Sequence, residues 1–159
     1  MKPESILITP GNLNNNVKAP TWFGAFLSCE NNMFNLDQLP PIHHLLGGHN
    51  IHWNTVKREI SVSYIALESF TNPRGSVEGG MICAMLDDAM GILAALNQTE
   101  KPAATINLSM DFFRPCAIGE VQAKAWFIKE GRKILSIESE AWQQGKLVAK
   151  TSATFMVLD

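Results

Sequence analysis

Two adjacent carboxylates, Asp87 and Asp88, fall inside an apolar stretch that opens on Gly79-Gly80, preceded by Thr71-Asn72-Pro73-Arg74-Gly75-Ser76-Val77-Glu78. The order predicts a turn, a Gly-Gly helix start and an apolar helix. The first N–H groups of a helix have no acceptor within it, so a helix start can hold a carbonyl oxygen and stabilise negative charge developing there. A carboxylate one or two turns further along can take a proton from water or attack the carbonyl itself.

The helix that must position these groups is predicted from about Gly79 to Leu96. On a 100° wheel Met81, Ile82, Met85, Leu86, Met90, Ile92, Leu93 and Leu96 form a core-facing half. Gly80, Cys83, Ala84, Gly91, Ala94 and Ala95 occupy the other half, with Asp87 near its centre and Asp88 near its edge. A solvent-facing half ordinarily carries Lys, Glu, Gln or Arg, so small residues imply close approach of a second surface, including another subunit. An ionised carboxylate in that setting is costly, so Asp87 is expected to be hydrogen-bonded, to have a raised pKa, or to line a wet cavity. The plainer alternative is that both aspartates face solvent, or that Asp88 ties the helix to a neighbouring strand.

The surrounding elements follow from periodicity. Pro40-Pro41-Ile42-His43-His44-Leu45-Leu46-Gly47-Gly48 predicts a short helix opened by proline and closed by glycine. Residues 55–59 and 60–67 read as one long strand or a bent pair. Thr105 to Phe112 alternates, placing Ile106, Leu108, Met110 and Phe112 on one face. Strands near 119–129, 132–142 and 146–157 are separated by Glu130-Gly131-Arg132 and Gln143-Gln144-Gly145-Lys146, both suited to hairpins. Strands, one long helix and then an antiparallel meander define an α+β domain with a helix packed on a curved sheet.

Size and composition limit the remaining possibilities. The 159 residues suit one domain, and 13 basic against 15 acidic residues give no broad footprint for nucleic acid or an anionic membrane. Cys29, Cys83 and Cys116 have neither disulfide-framework nor zinc spacing and are expected to be small buried residues. His43, His44, His49 and His52 match no standard zinc motif, so no metal is expected. No secretory signal and no apolar run of about 18 residues is read, and the expected location is the cytoplasm. Residues 1–37 are expected to form a partly flexible extension, with the apolar 21–36 segment packing on the body or a partner, and 38–159 to form the domain proper. No G-x-S-x-G elbow or Walker loop occurs.

Asn72-Pro73-x-Gly75-x-x-Glu78-Gly79-Gly80 followed by Asp87, then Phe112-Phe113-Arg114-Pro115 and Gly131-Arg132, resembles hotdog-fold acyl-CoA thioesterases of the phenylacetate-pathway type over roughly residues 38–158. The resemblance implies a long helix wrapped by an antiparallel sheet, homodimers or dimers of dimers with sheets paired edge to edge, sites at the dimer interface, and no cofactor. It implies that the Gly79 N–H forms an oxyanion hole, that Asp87 is base or nucleophile, and that Asn72 and Thr105 orient carbonyl and water. Glu78 and Gly80 would flank an acyl-CoA substrate.

Arg114, Arg132 and Lys133 are candidates for CoA phosphate contacts, because a cation at a pocket mouth attracts phosphate. The acyl pocket is expected to be lined partly by Met81, Met85 and the 21–36 segment. Glu78 departs from the family's usual histidine or glutamine, and a carboxylate there opposes an oxyanion by like-charge repulsion. It would select an unusual acyl group or mark a weak or repurposed enzyme. The competing function is therefore a non-catalytic hotdog that binds or senses acyl-CoA; a hydratase on this fold would need a histidine that the chain lacks at the matching position.

Overall fold

The computed structural model describes residues 6–8, 39–97 and 101–158. Among these residues the seven strands are β1 (Ile6–Ile8), β2 (His49–Asn54), β3 (Glu59–Ala66), β4 (Ala103–Phe112), β5 (Gly119–Glu130), β6 (Ile134–Gln143) and β7 (Lys146–Val157). They form one antiparallel sheet in the order β1-β2-β3-β5-β6-β7-β4. The helices among the described residues are the short α1 (Pro41–Leu45) and the long α2 (Gly79–Asn97), with a 3-10 turn at Glu68–Phe70 between β3 and α2. The expected packing of the 21–36 segment, the boundary at residue 37 and Cys29 lie outside the described residues.

The meander forms because strict alternation supplies one apolar face per strand. Val121, Ala123 and Ala125 of β5, Leu135, Ile137 and Ala141 of β6, and Ala149, Ala153 and Phe155 of β7 are all buried. Across that face lies α2, packed against β3, β4, β5, β6 and β7. Alanines on the middle strands let the helix approach closely, while Ile82, Met85, Leu86, Met90 and Leu93 fill the space between. Each such large side chain removed from water contributes about 1.5–3 kcal/mol.

The helix is long and apolar enough, by length and composition, to cross a membrane. The sequence reading that no such run exists is thus corrected; this helix is the core of the fold, covered by the sheet on its large-residue face.

One expectation about secondary structure gives way. Residues 55–58 are a turn, not a strand: the Asn54 side-chain oxygen accepts from the N–H groups of Val56 (3.2 Å) and Lys57 (2.9 Å), and Arg58 has φ 54°. An asparagine that bonds the next backbone donors closes a turn even in β-branched surroundings. The strand on the N-terminal side of that turn, β2, was not anticipated.

On α2, Ala94 belongs to the buried side, at 1 % exposure, rather than to the small-residue face. Cys83 is only half-buried, whereas Cys116 is buried.

Candidate active site

The start of α2 is set by backbone bonds on both sides. The Val77 N–H donates to the Cys116 carbonyl (2.8 Å) and the Glu78 N–H to the Phe70 carbonyl (2.8 Å), while the Glu78 carbonyl accepts from Met81 (2.9 Å) and Ile82 (3.3 Å). Glu78 is therefore the N-cap and Gly79 and Gly80 are the first two helical residues, whose N–H groups have no acceptor within the helix. A Cβ at Gly79 would sit 2.9 Å from the tip of the Phe112 ring, so glycine admits that ring to the helix start; around Gly80 there is open space. The Glu78 side chain is exposed, where water screens its charge.

Two turns further along, Asp87 accepts a hydrogen bond from the Thr105 hydroxyl at 2.9 Å. Burial pushes the Asp87 carboxyl above its usual range; the Thr105 bond opposes this, and the neighbouring Asp88 charge adds to it. A carboxylate with a raised pKa is a stronger base than a solvated one.

The contact depends on a bulge. Thr105 stands opposite Phe155 and Leu108 opposite Ala153, so three steps along β4 match two along β7, and Ile106 is the extra residue. Phe155 and Ala153 are both buried, hence Thr105 joins Leu108 on the helix-facing side. The simple alternation that groups Ile106 with Leu108, Met110 and Phe112 fails at this one position, because a bulge shifts the parity of everything before it.

Asp88 points elsewhere. Its Oδ2 accepts from the Tyr64 hydroxyl of β3 (2.7 Å) and from His43 Nδ1 of α1 (2.6 Å), with the Asp88 side chain 5 % exposed. The aspartate pair is thus divided: one carboxylate faces β4 with its hydroxyl partner, and the other ties α2 to a strand and to the short helix. From the sequence His43 is weighed only as a metal ligand, and Tyr64 only as a strand residue. The available signal was a tyrosine in phase with Ile60, Val62 and Ala66 on the core face of β3, since a buried phenol needs a partner.

The remaining candidates are dispersed. The Asn72 side chain is engaged in its own turn: Oδ1 accepts from the Arg74 N–H (2.9 Å) and Nδ2 donates to Ser76 Oγ (3.1 Å). Arg114 donates from Nη1 to the Leu147 carbonyl at 2.8 Å, beside the start of β7. Arg132 and Lys133 are exposed in the β5–β6 connection, and the Lys133 carbonyl accepts from Val157 at the far end of β7 (2.9 Å). With a rise of about 3.3 Å per residue, the two basic groups lie at opposite ends of a strand and cannot hold one phosphate within a single chain. Met85, expected at the pocket wall, is wholly enclosed in the core, whereas Met81 is partly buried.

A single long helix across an antiparallel sheet, among the described residues, defines a hotdog-type fold. The chain belongs to the thioesterase superfamily, whose family model matches residues 74–150. It is 30 % identical over 90 residues to the acyl-CoA thioester hydrolase YciA of Salmonella typhimurium, covering 56 % of this chain and 68 % of that protein. An uncharacterised acyl-CoA thioester hydrolase of Zymomonas mobilis is 32 % identical over 87 residues, covering 54 % of this chain; the match spans only 58 % of that relative's length. Among solved structures, a phenylacetic acid degradation-related protein of Ralstonia eutropha superposes with a TM-score of 0.69 at 33 % identity, covering 86 % of this chain and 100 % of that one.

Proposed function

We propose that this protein hydrolyses an acyl-CoA thioester to a carboxylic acid and free CoA. The observation that carries the reading is Asp87, held by the Thr105 hydroxyl at 2.9 Å on a helix whose Gly79 and Gly80 N–H groups are unsatisfied within it. The kinship with acyl-CoA thioester hydrolases supports it. Asp87 accepts the proton of an attacking water, or adds to the carbonyl directly and is then released by water. The carbonyl oxygen gathers charge beside the Gly79 N–H, the C–S bond breaks, and CoA leaves as the thiol. Thr105 aims the carboxylate, and Asn72 orients the carbonyl or the water once its turn admits substrate. Arg114 and the Arg132–Lys133 pair serve CoA phosphates from different chains of an oligomer. Glu78 and Gly80 border the acyl group, and no cofactor takes part.

The protein acts as a cytoplasmic homodimer or dimer of dimers. Support comes from β4, the terminal strand of the sheet, whose outer edge pairs with no other strand among the described residues, and which leaves Ile106 and Phe112 each about half exposed. A paired edge would cover these groups.

Asp87→Asn tests the reading. Thiol release from a panel of acyl-CoAs is expected to fall by about 10²–10⁴-fold with fold and oligomer retained. Retained turnover would reject the assignment. Glu78 at the helix start favours a second reading, an acyl-CoA binder without turnover; saturable binding by the parent with no thiol release across the panel would establish it instead.

A further inference from the structure

The side chains of His43, Asp88 and Tyr64 form a closed polar cluster inside an otherwise apolar layer. His43 is 1 % exposed and Tyr64 is fully buried, and both bond the same Asp88 oxygen, at 2.6 and 2.7 Å. The three residues come from α1, α2 and β3, elements well separated in the chain. Burial, followed by the Asp88 charge, drives the Tyr64 phenol far above its ordinary pKa, so its hydroxyl is a permanent donor to Asp88. His43 Nε2 is buried with no partner among the described residues, while Nδ1 lies 2.6 Å from the Asp88 oxygen. An unsatisfied buried nitrogen is costly, and a hydrophobic trio would pack there without that cost. The cluster therefore calls for a reason beyond stability.

We infer that His43, Asp88 and Tyr64 are positioning residues for Asp87, clamping α2 at the residue that follows it so that the Asp87 carboxyl is held toward Thr105 and the bound thioester. The inference rests on the thioesterase reading above. Two hydrogen bonds from different elements fix both the rotation and the axial position of that helical turn, which one bond could not do. Among the described residues Asp87 itself bonds a single hydroxyl, that of Thr105, so its aim depends on the backbone that carries it. The clamp is also electrostatic. The charged or titratable groups acting on or beside Asp87 are Asp88 and Cys83 from α2 and Tyr64 from β3, with Thr105 as a neutral donor from β4. Of these, Asp88 supplies the charge that favours the protonated form of Asp87.

The test uses the full chain, with kcat, KM and pH profiles measured on one acyl-CoA well below each variant's melting temperature. Tyr64→Phe keeps the ring and removes one bond of the clamp. It is expected to lower kcat by about tenfold while KM stays within about twofold, since misplacing a reacting group by a fraction of an ångström acts on the chemical step. Asp88→Asn keeps acceptor geometry and removes the charge; it is expected to lower kcat and to move the acid limb of the kcat/KM profile to lower pH. A merely structural role would reduce melting temperature without moving that limb.

Folded variants with parental kcat, or with lost activity and an unmoved acid limb, overturn the proposal. If Asp88→Asn does not fold, the kcat-against-KM split of Tyr64→Phe decides. Asp87→Asn run alongside separates the two readings: an inactive Asp87→Asn beside normal Tyr64→Phe and Asp88→Asn defeats the clamp alone, whereas an active Asp87→Asn defeats both.

Discussion

Gly48→Ala offers a sharp test of the packing beneath the site. Gly48 has no left-handed φ, so alanine fits its backbone, but an ideal Cβ there would lie 2.6 Å from His43 Nδ1 and closer still to Cε1 and Nε2. Carbon and nitrogen in contact need well over 3 Å, roughly the 3.5–4.0 Å of an ordinary van der Waals pair. The ring has nowhere to go, being 1 % exposed and flanked edge-on by Tyr64 with centroids 5.9 Å apart. Retreat breaks the bond to Asp88. Overpacking costs about 1–3 kcal/mol and loss of a hydrogen bond to a charged group about 1.5–3 kcal/mol, so the expected destabilisation is about 3–5 kcal/mol. In a chain of this size that is a fall of roughly 10 °C in melting temperature.

The assay is urea unfolding followed by tryptophan fluorescence, run as a double-mutant cycle with His43→Ala. Removing the imidazole removes the clash, so in that background Gly48→Ala should be neutral or stabilise by up to about 1 kcal/mol through the stiffer unfolded chain. The expected coupling is about 3–6 kcal/mol, far above the few tenths seen for independent sites. Equal costs of Gly48→Ala in the two backgrounds would refute the reasoning, because the penalty would then not arise from the ring.

Two further outcomes follow from β4. Thr105→Val removes the bond that favours ionised Asp87, so the carboxyl pKa rises further and the acid limb of the activity profile moves to higher pH, opposite in sign to Asp88→Asn; a pH series of thiol release shows it, and an unmoved limb would count against the pair. Deleting Ile106 removes the extra residue of the bulge and leaves Thr105 opposite Phe155 in unbroken alternation, still on the helix-facing side. Turnover should therefore fall less than in Thr105→Val, with far-ultraviolet dichroism unchanged, whereas a loss as large as that of Thr105→Val would mean that the register against Phe155 does not aim the hydroxyl.

The sequence by itself determined the elements whose pattern is local. The period of two made the β5-β6-β7 meander legible, the proline–glycine punctuation located α1, and Gly79-Gly80 before an apolar run marked the start of α2 to the residue. It also isolated Asp87, because a charge among small residues on a helix face demands a partner. The identity of that partner was not legible, since strict alternation would have turned Thr105 away and the resemblance placed it only as a residue orienting carbonyl and water; only the register against β7 revealed the extra residue. The turn at 55–58 was misread for a related reason, as one asparagine side chain bonding its neighbours outweighs the propensity of the residues around it.

The tertiary structure alone named the partners of Asp87 and Asp88. On a helical wheel they differ by one step of 100°, which places one near a face centre and the other near an edge without naming what either meets. His43, Tyr64 and Asp88 are brought to one point by the packing of α1 and β3 onto α2, contacts between residues 24 to 45 positions apart. No local pattern encodes such a meeting. It exists because a buried carboxylate must find donors wherever the fold delivers them, and the fold delivers them only once the whole sheet has closed over the helix.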